Sequence, residues 1–544
     1  MRDVPVATLE MRTAVPAREK INDMKEWSHI QKTGFHRWRW TPGKVYHWVL
    51  SYTAVGYAFW RFATTEQKTF LLEHQGGSFK DSPFGLEQKQ DAVNWEWQST
   101  KYVMVVAWKW HLLHPLLARV IACVAPSLVS VFYAAYSFLF VTFTFGWEVA
   151  LLFVGQHAAF YAVTVLRSPA LCYVVAALIH FQKFFIPFDA YDYMYPRYGM
   201  MAYMAAYVTF HWNILRGLSF SVDYVQAERE RNTGDSQRRL PPYWKTLGYL
   251  LYLPTVYLGP PQRYNDYITQ LDKPRPRCAP LVIATAIARL LRSGAHYLLM
   301  ELMGHFFYGA AMSNLAWMGQ RLDLVSLAGY ALSLEFDYYV CYLFNYGFAG
   351  ALAKAEGIEI PETAPCIARL HRCSQFWRYF DRGMHLFIRR YVYEPILGGN
   401  RTAFRLVLST AVAFTFTCTW HNWHSNEAVW CALSALGIAL EVITIELRKW
   451  TPVKKFEGRY LASDERMRVA RALLGSPHFL LTICACLFHL AQVEVCLVIC
   501  KRILTGFPFP LVPILVVMYS LCHVAMDVAE WDASAIAKKK QASS

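Results

Sequence analysis

At 544 residues the chain could fill three or four soluble domains, yet only 17% of it is charged, against the roughly 25% usual in soluble proteins. Hydrophobic residues reach 55% and aromatics 16%, gathered in long apolar blocks with short basic stretches between them. That is the make-up of a multi-span membrane protein, and it excludes disordered, collagenous and coiled-coil classes. The formal charge of +15 lies between the apolar blocks rather than in one stripe, so it orients the chain in a bilayer and argues for no nucleic-acid partner. None of the 13 cysteines forms a Cys-x-x-Cys pair, and most stand in apolar runs, so reduced thiols are expected, with no disulfide framework or zinc site.

In chain order, residues 1–44 are basic and lack an apolar core, which predicts a cytosolic segment and no cleavable signal peptide. A membrane domain is expected over 45–530 and a basic tail, with Lys538, Lys539 and Lys540, over 531–544. A spanning helix needs about 20 mostly apolar residues. Candidates are 45–62, 102–117, 120–145, 149–166, 170–188, 200–220, 247–258, 280–308, 324–348, 386–396, 403–420, 429–447, 477–498 and 507–528. Several are too short to cross, so the expectation is an all-α, multi-pass transmembrane helical bundle of about 11 spans plus re-entrant or interfacial helices. Residues 70–100, mixed in charge and aromatic, read as an amphipathic interfacial stretch. The basic connections 226–245, 369–390 and 448–471 are expected on the cytosolic side.

The chemistry concentrates in Phe376-Trp377-Arg378-Tyr379-Phe380-Asp381-Arg382-Gly383, and in an apolar block that ends Trp420-His421-Asn422-Trp423-His424. Burial disfavours imidazolium, so His421 is suited to take a proton from a hydroxyl or amine nucleophile, and Asp381 could orient that imidazole. The bland alternative is a histidine at the headgroup boundary, flanked by the tryptophans of an aromatic belt. His421 and His424 at i and i+3 would share a helix face as metal ligands, but no third ligand has matching spacing.

These residues carry a resemblance. Trp377-Arg378-Tyr379-Phe380-Asp381, then Arg390-Tyr-Val-Tyr393, Pro395 and Gly398-Gly399, together with Trp420-His421, are similar to the motifs of the membrane-bound O-acyltransferase family, in the branch of Hedgehog acyltransferase and the glycerol-uptake proteins. Segments 211–220 and 251–266 look alike as well. The resemblance implies a helical multi-span fold of the endoplasmic reticulum membrane with a tunnel through the bilayer, long-chain acyl-CoA entering from the cytosol, and His421 with Asp381 as catalytic residues. Trp377, Arg378, Arg382 and Arg390 would bind acyl-CoA, since arginine holds phosphate in bidentate fashion. Cys366 stands where the resemblance implies a haem b axial ligand, with Cys373 as its rival and a packed free thiol as the plain alternative. The acceptor would be a membrane lipid or a secreted protein. The segment after His421 is free of glycine, unlike the protein-acylating relatives, which favours a lysolipid such as a lyso-glycosylphosphatidylinositol anchor. The alternative is N-palmitoylation of a protein. A solute transporter is the more distant rival and would need inverted repeats, which the sequence lacks.

Overall fold

Within a bilayer every backbone N–H and C=O must be bonded internally, and long apolar blocks therefore become helices. In the computed structural model, which describes residues 39–231, 240–273 and 280–543, nearly all regular structure is helical. The basic segment 1–44 lies outside the described residues as far as residue 38. Six helices are long and apolar enough to cross a membrane: Pro126–Phe145, Trp147–Leu166, Ala403–Trp420, Ser425–Leu447, Asp464–Leu490 and Leu511–Ala535. Three others, Met200–Arg231, Pro280–Phe306 and Leu324–Glu356, are as long but carry buried charge, including Arg216, Asp223, Glu301 and Glu356. Length and apolarity alone thus give fewer crossings than the eleven expected.

Several boundaries differ from the sequence reading for local reasons. The block 120–145 is broken, because Pro126 lacks the N–H a continuing helix needs, and Trp108–Val124 ends just before it. Block 247–258 is the short helix Tyr243–Leu250 followed by a 3₁₀ turn at Pro254. Block 477–498 belongs to two helices: Asp464–Leu490, started by the Ser463 hydroxyl accepting from Arg466 N–H, and Val493–Thr505. The last helix runs unbroken from Leu511 to Ser543, through the point where the tail was expected to begin. The interfacial stretch contains helices Gln67–His74 and Trp95–Thr100, with one antiparallel pair, Phe79–Lys80 against Gln90–Asp91, between them. Glu301 fixes this stretch, accepting from Trp97 Nε1 at 2.7 Å and Gln90 Nε2 at 3.1 Å.

Between helices in lipid there is little hydrophobic drive, so close packing and polar contacts carry the assembly. Gly329 is such a contact: a Cβ there would lie 2.1 Å from the carbonyl oxygen of Ala58, so Pro42–Ala63 and Leu324–Glu356 touch backbone to backbone. Two fully buried carboxylates tie the remainder. Glu356 accepts from His114 Nδ1 at 2.7 Å, from Tyr252 Oη at 3.0 Å, and from Tyr133 Oη. Asp527 takes Arg468 at 2.6 Å, Trp48 Nε1 at 3.0 Å and Lys44 at 3.4 Å.

Candidate active site

A cavity of about 1890 Å³ opens among helices from both halves of the chain, and His421, Asp381, Trp377 and Arg378 all line it. His421 is the capping residue at the end of Ala403–Trp420. The two residues after it take φ values of 60° (Asn422) and 57° (Trp423), the left-handed region that glycine enters freely and that costs other residues roughly 1 kcal/mol or more. Asn422 and Trp423 N–H groups turn back onto Thr419 O and Cys418 O, at 2.9 and 3.0 Å, so the chain reverses within two residues. The reversal is fastened outside the backbone, where Asn422 Nδ2 donates to Tyr207 Oη at 3.0 Å. Two consequences correct the sequence reading. The absence of glycine after His421 does not keep the turn out of the left-handed region, which Asn422 and Trp423 both enter. And His424, exposed at the start of the next helix, shares no helix face with His421, so the two make no metal-ligand pair.

The same turn brings Glu427 back toward His421. Its Oε2 lies 4.0 Å from His421 Nδ1. A second imidazole, His489 near the end of Asp464–Leu490, has Nδ1 at 3.0 and 3.2 Å from the two oxygens of Glu427. The rings of His421 and His489 meet edge to face at 5.2 Å. Trp430 stacks on His489 at 4.2 Å, and Trp377 stacks on Trp430 at 5.0 Å, so the family-like motif reaches His421 through two indoles. One ligand atom from each of His421, Glu427 and His489 lies within 4.8 Å of the others, a set that could hold a divalent cation. His489 and Glu427 are also joined directly by a hydrogen bond, so the pair is satisfied as an acid–base couple.

Asp381 caps helix Arg382–Ile388, accepting from Met384 N–H at 2.8 Å, and burial pushes its carboxyl up to about 6 while the Met384 bond opposes this. It shares the cavity with His421, but the carboxylate within reach of that ring is Glu427. Gly383, two residues on, packs against Pro261 so closely that a Cβ would sit 2.7 Å from the proline ring, which explains the glycine of the motif. The arginines divide. Arg378 faces the cavity together with Arg389 and Arg401, whereas Arg382 is not part of its lining. Arg390, outside the cavity lining, is turned to Gln226 at 3.0 Å and toward Asp223 at 3.9 Å. Cys366 is an exposed thiol beside Ile367, also exposed; both line the same cavity, and haem there is not supported. Its rival Cys373 is buried, its Sγ bonded to Ser434 O at 3.5 Å, and packs as an ordinary thiol.

A helical membrane fold, one large internal cavity, and an imidazole on its wall beside the Trp-Arg-Tyr-Phe-Asp helix pair define a membrane acyltransferase. The chain belongs to the membrane-bound O-acyltransferase family, whose model matches residues 157–483. It is 27% identical over 406 residues, covering 73% of this chain and 77% of the relative, to protein-cysteine N-palmitoyltransferase Rasp of Drosophila melanogaster. It is 29% identical to protein-cysteine N-palmitoyltransferase HHAT of Mus musculus over 57% of this chain and 62% of that protein. To membrane-bound O-acyltransferase GUP2 of Saccharomyces cerevisiae it is 25% identical over 39% of this chain and 34% of that one. The chain is an acyltransferase with acyl-CoA as its co-substrate. Of the residues around His421, sequence reasoning missed Glu427 and His489, which only the fold brings to it.

Proposed function

We propose that the enzyme transfers a palmitoyl or similar long acyl group from acyl-CoA to the α-amine of an N-terminal cysteine on a secreted protein, in the endoplasmic reticulum membrane. The observation that carries this is a set of unpartnered carboxyl oxygens on the cavity wall. Glu96, Glu335 and Asp337 line it, each with a buried carboxylate oxygen that has no hydrogen-bond partner. A desolvated carboxylate is costly unless paired, and the ammonium of a peptide N-terminus supplies the pair, whereas the phosphate of a lysolipid would be repelled. The names of the Drosophila and mouse relatives support the same acceptor over the lysolipid expected from sequence.

In this reading Arg378 holds the phosphates of CoA, leaving the thioester beside His421. His421 takes the proton from the attacking nitrogen as the C–N bond forms and returns it to the departing thiolate. Asp381, locked onto the first turn of Arg382–Ile388, keeps the motif helix against Pro261 and faces the cavity with its carboxyl. The test is a competition: purified protein, palmitoyl-CoA, a peptide with N-terminal cysteine, its N-acetylated twin and a panel of lysolipids. Amide-linked palmitate on the free peptide alone is expected. Consumption of a lysolipid with the peptide untouched would sink the reading.

A further inference from the structure

We propose that the connection between helices Ser425–Leu447 and Asp464–Leu490 docks anionic phospholipid headgroups, through a surface helix that plays no part in the acyl-transfer site. Both flanking helices are long and apolar enough to cross a membrane, so residues 448–463 turn the chain around at one membrane face. Within that turn the chain does not loop freely but forms the helix Thr451–Tyr460. Over 448–471 eight Lys or Arg stand against three acidic residues. Such an excess places a connection on the cytosolic side, where the leaflet carries the anionic phospholipids.

The helix has two unlike faces. Val453, Phe456 and Tyr460 recur at i, i+3 and i+7 and share one of them, while Lys455 and Arg459, at i and i+4, share another. Packed on protein, the apolar face would be covered. Here no residue of the helix is buried; Phe456 is 55% exposed, Tyr460 51%, and the capping Trp450 63%. Aromatic rings left bare at the level of a membrane face belong at the boundary between headgroups and acyl chains. The charge on the polar side is of one sign. Glu457 is the sole acid of the helix, and Arg448 from the preceding turn takes both its oxygens, at 2.6 and 3.1 Å. What remains to face the headgroups is Lys454, Lys455 and Arg459, with the Arg459 guanidinium 5.4 Å from the Tyr460 ring, which brings the basic and aromatic sides together. Asp464 and Glu465 lie in the first turn of the next helix, where the helix N-terminus favours negative charge. An acidic soluble protein would answer the lysines but would leave the aromatic face uncovered, whereas an anionic lipid answers both, phosphate against the lysines and acyl chain against the rings.

The experiment titrates the full-length protein in detergent with phosphatidylserine or phosphatidylcholine and counts the retained lipid by native mass spectrometry. Wild type is compared with a variant carrying Lys454→Gln, Lys455→Gln and Arg459→Gln. Wild type is expected to hold phosphatidylserine the more tightly, and each charge removed should weaken that by up to about fivefold while phosphatidylcholine is unmoved. Salt at about 0.5 M should erase the preference in wild type, an arm that needs no variant. Phe456→Ser should weaken both lipids alike. With no side chain of the helix buried, the variants should transfer palmitate in phosphatidylcholine micelles as wild type does. Equal retention of the two lipids by wild type, or a preference that survives loss of all three charges, would overturn the proposal. So would a KM for palmitoyl-CoA raised in the charge variant without anionic lipid, since the lysines would then serve CoA phosphates. Inositol hexakisphosphate binding as tightly as phosphatidylserine, with Phe456→Ser having no effect, would give the face to a soluble polyanion, and a dimer that the charge variant splits would give it to a second copy; either result overturns the lipid assignment.

Discussion

Two of the buried histidine–glutamate pairs among the described residues, His114–Glu356 and His489–Glu427, differ in what surrounds them. At His114–Glu356 the carboxylate receives the imidazole and two tyrosine hydroxyls, and both side chains are fully buried. Every oxygen is committed, so the pair ties Trp108–Val124, Val129–Phe145 and Leu324–Glu356 and has nothing to offer a substrate. At His489–Glu427 the side chains keep 15% and 10% exposure, the carboxylate is shared only with a second imidazole, and both residues line the cavity. The same two residue types are sealed inside the scaffold at one place and line the cavity at the other.

The comparison can be broken at either pair. The largest effect is expected at the saturated one: Glu356→Ala strands an imidazole and two hydroxyls in the interior and should cost about 3–5 kcal/mol, read as a large fall in the thermal midpoint of the detergent-solubilised protein. His421→Ala should lower acyl transfer by about a hundredfold or more with the midpoint unchanged, because a base is lost at a cavity wall where little packing depends on it. Glu427→Gln should lie between, with about tenfold less transfer near neutral pH and a stability change within about 1 kcal/mol. If Glu427→Gln unfolds the protein as Glu356→Ala does, the distinction between the pairs is gone. The smallest effect separates the arginines: Arg378→Ala should raise the KM for acyl-CoA by about five- to tenfold, the worth of one charged hydrogen bond. Arg390→Ala, already engaged with Asp223 and Gln226, should change it by less than about twofold.

What could be read from sequence was what is local. Apolar length marked most of the helices, and Trp377 to Gly383 was marked by its resemblance to a family motif, whose residues are close in sequence although they fall on two short helices. The partner of His421 could not be read in this way. Glu427 reaches the imidazole only because Asn422 and Trp423 both enter left-handed backbone, and nothing in a Trp at that position announces it. His489 arrives from the far end of a separate helix, where one histidine among Leu487, Phe488 and Leu490 has no periodic signature. Arg390 misled for the converse reason: its charge was legible, but Asp223, its partner from Met200–Arg231, was not.

Asp527 gives the fold a mechanical character that its covalent order conceals. Lys44 and Trp48, at the start of the first described helix, and Asp527, in the last one, close on Arg468 of the helix Asp464–Leu490. The polypeptide is a line, but under load it behaves as a loop, with its clasp about 30 Å along that helix from His489, at 1.5 Å per residue. The first and last described helices are thereby fastened to each other and to the helix that carries one of the two imidazoles.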